Sequence, residues 1–568
     1  MARRTNYLFS AVFFAFTAVV IDQEVQAQVL PVGTPLLEDY YRRQQLMGQV
    51  DSTVSFVIRP LRQPLLGQEN VYNPGQVGGV RTDLVNTPDG EGYVQVLPVT
   101  WEHQINTGFP YGWNDGSMVP TKGYQTRVSA GLYFQYKFLS VQFRPEFVYA
   151  GNQDYENHAK QPGYGWHWYY AIGNKIDMPE YFGRGRYTRL LPGQSSVRLT
   201  FDPVSFGLST ENLWWGPGRR NSLLMSNTAP GFLHATLQTS KPIATPIGSF
   251  EGQLVGGKLD NSGFDPSITG ESLHHELYYV PKPETWRYFS GLIVNYQPKW
   301  LSGLSLGLIR TFTINRSNMT NNPRDFLPFF SPVKKQAPYL DADRGTPRIS
   351  DEVRDRYGSV FFRWAMPKDG FEVYAEYGRR ERPENGRDGM VRMERSRAYI
   401  FGLSKIVPLR RSSGAALQFN AEVTQLAAPN VRKDLFTEPW YTHHVVRDGY
   451  THLGQVLGAG IGPSSNIQSV DISWVRGLQQ IGLEVERFVH NEDFFYYYIA
   501  DIRRSWTDLG IGAFAAWDVG PVLLSGALKF THAYNYQHMW VPPVTDFWAF
   551  GRHDRNNVHL RFGASYRF

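Results

Sequence analysis

The side chains that could do chemistry fall into small groups, and each would need a scaffold of its own. Gly303-Leu304-Ser305-Leu306-Gly307 has the glycine spacing of a nucleophile elbow, which exposes its serine on a strained turn between a strand and a helix. This copy lies inside an alternating strand signal, so Ser305 is expected to be a small residue facing inward. Glu372/Glu376 and Glu484/Glu486 each place two carboxylates on one strand face, a pairing that glycosidases use. On a barrel wall the same pairs are simply adjacent lumen residues. His274-His275-Glu276 and His443-His444 bring metal-ligating types together, but strand neighbours point to opposite faces and chelate poorly. The run Gly458-Ala459-Gly460-Ile461-Gly462-Pro463 lacks the helix and lysine of a phosphate loop and reads as a turn or strand bend.

Aromatic residues among polar ones offer a different chemistry. Trp214 and Trp215 present flat faces on which sugar C–H bonds can stack. Glu211, Asn212, Arg219, Arg220 and Asn221 can hydrogen-bond hydroxyls or pair with uronate carboxylates. Tyr164, Trp166, His167, Trp168 and Tyr169 form a second cluster beside a loop. The candidate carbohydrate site is therefore Glu211, Asn212, Trp214, Trp215, Arg219, Arg220 and Asn221, together with Trp166 and Trp168. The competing expectation is packing inside a barrel or an interfacial aromatic belt, with the two tryptophans bracing a tight turn at Gly216-Pro217-Gly218. No catalytic residue, metal site or cofactor is expected.

The elements that must position these groups are strands. From about Trp101 onward the apolar residues recur with period two. Val197, Leu199 and Phe201 alternate with Arg198, Thr200 and Asp202. Phe371, Val373, Ala375 and Tyr377 alternate with Glu372, Tyr374, Glu376 and Gly378. Ile481, Leu483 and Val485 oppose Gly482, Glu484 and Glu486. The last strand is the cleanest: Val558, Leu560, Phe562, Ala564, Tyr566 and Phe568 against His559, Arg561, Gly563, Ser565 and Arg567. One greasy row and one wet row on the same strand is what a membrane barrel with a polar lumen requires. Soluble sandwiches alternate too, but the strand supply argues for a barrel. Roughly 470 residues at about 25 per strand and connection give some 18 strands. The breaker-rich stretches Asn152–Gly165, Asn315–Pro347 and Gly378–Gly389 then fall in long loops or plugs.

Composition and the first residues place the barrel. Arg3 and Arg4, an apolar run from Tyr7 to Ile21, and Val25-Gln26-Ala27 read as a signal peptide over residues 1–27. With 15% aromatic residues, 54 Gly and 36 Pro, the chain is rich in what girdles and turns need, while its mean hydropathy is only −0.37. No cysteine is present, which removes disulfides, thiol nucleophiles and cysteine-based zinc sites. The charge of +6 is spread along the chain without a basic block, so nucleic acid is not an expected partner; an acidic polymer or anionic lipid head group fits better. Residues 28–100 read as a periplasmic N-terminal segment that packs against or plugs a barrel spanning 101–568. Its one helical signal has Thr34 as cap, Pro35 in the first turn, Leu36, Leu37, Tyr40, Tyr41, Gln44 and Met47 at helical spacing, and Gly48 as stop.

The blocks Ile176-Asp177-Met178-Pro179-Glu180-Tyr181-Phe182-Gly183, Leu191-Pro192-Gly193-Gln194-Ser195-Ser196, Ser209–Gly218 and Ser222–Phe232 resemble the capsule-assembly Wzi family of outer-membrane proteins. Lys241-Pro242, Gly248–Glu251, Tyr450–Gln455 and Gly460–Pro463 extend the likeness. The resemblance implies a monomeric outer-membrane barrel of about 18 strands with a small helical part on the periplasmic side. It also implies a non-enzymatic, lectin-like role in attaching or organising capsular or extracellular polysaccharide at the cell surface. Outer-membrane lipid would surround such a barrel, and the chain-terminal aromatic resembles the signal read by the barrel assembly machinery. The chain departs from the family pattern in showing one helix where a small bundle is expected. A channel for sugars or other solutes is the alternative use of the same barrel, and a barrel hydrolase a third.

Overall fold

Alternation along the chain becomes a wall in the computed structural model, which describes residues 29–66, 70–73, 76–77, 80–81, 83–157, 166–267, 272–320, 322–330, 339–340, 347–348, 353–380, 387, 396–409, 414–428, 438–499, 501–539 and 553–568. Residues 1–27, expected from the sequence to be a signal peptide, lie outside the described residues. The wall is a closed antiparallel barrel of 18 strands. They are β1 (Gly92–Asn106), β2 (Gly123–Tyr136), β3 (Leu139–Phe143 and Glu146–Ala150), β4 (Tyr187–Leu191 and Ser196–Phe201), β5 (Val204–Ser209) and β6 (His234–Thr239, then Ile243–Thr245). Next come β7 (Gly248–Leu259), β8 (Arg287–Pro298), β9 (Leu304–Asn315), β10 (Arg354–Met366), β11 (Phe371–Arg379) and β12 (Arg397–Pro408). The set ends with β13 (Ala415–Gln425), β14 (Asn466–Arg476), β15 (Gln479–Val489), β16 (Thr507–Val519), β17 (Val522–Tyr534) and β18 (Arg555–Tyr566). The ring closes between last strand and first, with His559 opposite Asn106 and Tyr566 opposite Val99. Closure leaves no unpaired edge to hydrogen-bond with lipid.

The outer row is apolar and exposed, as the alternation predicts: Leu483 is 62% accessible, while Glu486, three residues along on the inner row, is 3%. Short turns such as Phe201–Val204 and Val519–Val522 join strands at one end, and long connections such as 209–234 and 425–466 join them at the other. Short turns mark the periplasmic end of such barrels and long loops the outer end.

The N-terminal segment lies in the bore at the short-turn end. Helix α1 (Pro35–Leu46) begins with Pro35 at its first position. Thr34 does not cap it; its hydroxyl donates to Pro31 O at 2.7 Å instead. Leu37, Tyr41 and Leu46 are buried, Met47 is exposed, and Gly48 at φ +76° ends the helix. Leu30, Leu37, Tyr41, Phe56, Leu61 and Tyr72 pack on Leu97, Tyr133, Leu478 and Leu523 of the wall.

The polar lumen expected from the alternation is corrected at mid-height. There the long connection 209–234 and the loop containing Tyr441–Ile461 fold inward and build an apolar core. Leu213, Trp215, Leu223, Leu224, Met225, Tyr441, Tyr450 and Leu457 meet Phe289, Ile293, Ile309, Tyr357 and Phe361 of the wall. Burying apolar surface from both sides stabilises the insertion. It also explains why the inward rows of β8 to β10 carry Phe289, Ile293, Ile309, Tyr357 and Phe361 among their polar residues. Two further helices, α2 (Trp166–Gly173) and α3 (Ser272–Tyr278), pack together at the outer end.

Candidate functional site

The tryptophan block enters the lumen from the outer end and meets the N-terminal segment there. Trp214 and Trp215 pair antiparallel with Arg59 and Ile58. Trp215 is fully buried; its Nε1–H donates to Gln253 Oε1 at 2.7 Å, and its ring occupies the space over Gly291. Any Cβ at Gly291 would come within 2.6 Å of that ring, so the wall glycine is what lets the indole lie flat on the strand. Trp214 is buried beneath the Arg59 guanidinium, 4.5 Å from the ring centre, a cation–π contact.

The turn after it is clamped by wall carboxylates that the sequence reading did not assign to the site. Glu422 on β13 accepts the backbone N–H groups of Arg219, Arg220 and Asn221 at 2.8, 3.1 and 2.9 Å, with the Tyr374 hydroxyl at 2.8 Å. Three peptide N–H groups converging on one carboxylate fix a turn by charge-assisted bonds. From below, Arg42 Nη2 and Arg59 Nη2 donate to Pro217 O and Gly218 O, each at 3.0 Å. Arg42 also pairs with Glu372, whose other oxygen takes Arg363 Nη2 at 2.6 Å. Arg59 pairs with Glu38, and Arg219 with Asp39. The arginines of α1 thus belong to the site, although on a helix beside Glu38 and Asp39 they resemble an ordinary solvated face.

The structure divides the predicted carbohydrate residues. Glu211, Asn212, Trp215 and Asn221 are buried in the packing. Glu211 pairs with Arg198, and Asn212 bonds Asn227 Oδ1 and Ala229 O, both at 2.8 Å. Trp214, Arg219 and Arg220 instead line a cavity of about 480 Å³ between α1 and the inner faces of β1, β2 and β16 to β18. Its wall holds mostly paired charges: Arg127 with Glu102, and Glu484 with both Arg220 and Lys529, each at 2.8 Å. Trp166 and Trp168 begin α2; their side chains lie outside the described residues, as do those of Tyr164, His167 and His274. The same helix carries Tyr169 and Tyr170 into a cluster at the outer end, where the His275 ring stacks on Tyr279 at 4.5 Å and Tyr170 packs edge-on to His275. Leu277, Tyr278 and Val280 beside it are exposed.

The remaining groups have structural partners. Ser305 is buried on β9, taking a 3.2 Å hydrogen bond from Gln297 Nε2, with no strand-to-helix turn. Glu376 is held by Ser359 and by the Leu223 N–H at 2.7 and 3.3 Å. The histidine pairs are not on strands, which corrects the reason given for their poor chelation. His275 and Glu276 belong to α3, and His443 and His444 stack in a loop at 4.8 Å. His443 Nδ1 is occupied by the Val445 and Val446 N–H groups, and no group of three metal-ligating side chains occurs among the described residues. The glycine run folds inward: a Cβ at Gly458 would meet Leu223 O at 2.2 Å, and one at Gly460 would meet Trp113 at 2.3 Å.

Among solved structures the chain is similar to Wzi of Escherichia coli, an outer membrane protein involved in group 1 capsule assembly and described as a carbohydrate-binding β-barrel. The TM-score is 0.59 at 12% identity, covering 95% of this chain and 100% of that one. OccK2 of Pseudomonas aeruginosa (TM-score 0.38, 9% identity, 83% and 97% covered) and OccAB4 of Acinetobacter baumannii (0.36, 9%, 84% and 99%) are more distant. No curated protein matches the chain. The family model for capsule assembly protein Wzi matches residues 113–531, the larger part of the barrel and both inward-folded loops, and the chain belongs to that family.

Proposed function

We propose that this protein is a non-enzymatic, lectin-like barrel that attaches or organises capsular or extracellular polysaccharide at the cell surface. The observation that carries the reading is the apolar core across the bore. Loops that could have stood aside from a solute path are instead built into it, buried and bonded to the wall. That arrangement suits a static platform better than a conduit. The similarity to a carbohydrate-binding barrel and the family membership support the ligand class. On this reading the half-exposed Tyr169, His275 and Tyr279 at the outer end offer sugar-stacking faces, Trp166 and Trp168 of the same helix α2 are kept as candidates beside them, and Trp214, Arg219 and Arg220 act from the lumen. The protein works as a monomer in outer-membrane lipid, delivered by the signal peptide and assembled through its terminal strand, where the Tyr566 and Phe568 rings pack edge to face at 5.0 Å.

The test is retention on cells. A strain lacking the gene is expected to shed polymer into the medium that the parent strain holds. Unchanged retention, with no binding of the host's own polysaccharide by purified protein, would remove the proposal.

A further inference from the structure

The luminal cavity contains a guanidinium that has no carboxylate in direct contact; Glu102, already paired with Arg127, attracts it only from further off. Arg144, between the two halves of β3, is 4% exposed and lines the cavity. Among the described residues no carboxylate lies within 4.0 Å of its side chain. Its guanidinium lies over the Tyr72 ring at 5.8 Å and donates from Nη2 to Thr100 Oγ1 at 3.2 Å, and its Nε–H has no partner there. A buried guanidinium whose nearest carboxylate is held by another arginine has capacity left for a further anion. Two more donors on the same lining lack partners among the described residues, Trp214 Nε1 and Arg219 Nη1. Facing them are an acceptor and flat apolar surfaces: Glu146 takes one hydrogen bond from Gln194 at 3.2 Å, and the Trp113 and Trp214 side chains form part of the wall.

We infer that this chamber binds one carboxylated sugar residue, a hexuronate. Its carboxylate sits on Arg144, its ring hydroxyls donate to Glu146 and accept from Trp214 Nε1–H, and a C–H face lies against an indole. Unpaired guanidinium donors select an oxyanion. The aromatic walls and the mixture of donors and acceptors select a polyhydroxylated one. A volume of about 480 Å³ accommodates a monosaccharide with its water and falls in the range of small-ligand sites. The inference rests on the polysaccharide reading and makes it specific: polymers containing acidic sugars are the ones whose units this chamber recognises. Glu146 and the other lining carboxylates oppose a simple dense anion, so inorganic phosphate should be the poorer ligand.

The test is calorimetric titration of the full mature protein in detergent with glucuronate, glucose and inorganic phosphate. Glucuronate is expected to bind saturably, and at least tenfold more tightly than either of the others. Arg144→Gln is expected to weaken glucuronate at least tenfold, and Trp214→Phe several-fold, in protein whose heat-modifiable gel mobility shows a folded barrel. The wild-type preference does not depend on either variant folding. Equal affinity for phosphate or for glucose would overturn the sugar-acid assignment, and absence of saturable glucuronate binding would overturn the site. Polymer retention scored separately on cells lacking the gene keeps the two ideas apart: shedding with no glucuronate binding sinks the chamber and leaves the tether. Glucuronate binding without shedding supports the chamber, and the tether then falls if the purified protein also fails to bind the host's own polysaccharide.

Discussion

Replacing Glu372 with Gln tests what holds the N-terminal segment in the barrel. The carboxylate is fully buried between Arg42 of α1 and Arg363 of β10, whose side chains are 3% and 1% exposed. The amide keeps the shape and loses the charge, leaving two guanidiniums without their shared counter-ion. Breaking a buried pair in this way costs about 3–5 kcal/mol. Arg363 keeps Gln45 Oε1 at 2.8 Å and Ser55 O at 3.0 Å, and β10 and β11 keep their backbone ladder from Gly358 to Met366. The loss therefore falls on docking of α1 and not on the wall. At about 1.4 kcal/mol per tenfold, the open population of the segment should rise by roughly two to three and a half orders of magnitude. Proteolysis of folded protein in detergent, followed at sites within residues 29–66, reads that population when reclosing outpaces cleavage. Cleavage within threefold of wild type, with barrel mobility unchanged, would refute the argument. The double variant R42M/E372Q should recover at least half of the loss, because it removes the stranded cation as well.

Three further outcomes follow from the packing. Gly291→Val puts carbon into the space of the Trp215 ring and should cost about 1–3 kcal/mol, seen as a lower urea midpoint for loss of heat-modifiable mobility; an unchanged midpoint would mean the ring does not dock there. Burial, with Arg380 and His444 adding to it, pushes His443 down to about 4 against the attraction of Asp355 and Glu438. Its neutral form is favoured in the fold, so its contribution is complete above a pH of about 6.5 and is lost as pH falls toward 4. Hydrogen exchange of residues 438–465 should accelerate over that interval, and flat exchange would show that His443 is not held neutral. In planar bilayers the intact protein should pass little steady current, whereas replacing 213–229 with a short Gly-Ser link should raise it. A porin-sized current from the intact chain would favour the solute channel over the tether.

How far the sequence was legible depended on whether a residue's partner was local. Leu560, Phe562 and Tyr566 alternate with His559 and Arg567 because the two sides of one strand meet lipid and lumen, and that needs no knowledge of neighbours. Arg561, singled out with them as a basic lumen residue, does face in, where Asp115 takes it at 2.9 Å. The plug arginines were opaque. Arg42 sits two turns into an ordinary-looking helix, and its partner Glu372 comes from a wall strand 330 residues away. The apolar core had left a signal in β8 and β9, where Phe289, Ile293 and Ile309 interrupt an otherwise polar inward row, but an expectation of a wet lumen assigns such residues no purpose. The tryptophan block was recognisable by type. That Trp215 packs while Trp214 lines a cavity depends on Gly291 and Arg59, which lie on other elements.

The seam between β18 and β1 has a consequence for biogenesis. Because the first and last wall strands are partners, the ring cannot close until the end of the chain is present. By then the N-terminal segment and the tryptophan block, joined through Ile58–Arg59 and Trp214–Trp215, have long preceded it. The contents of the barrel can thus assemble while the sheet is still an open trough, and the final strand fastens the wall around cargo already in place.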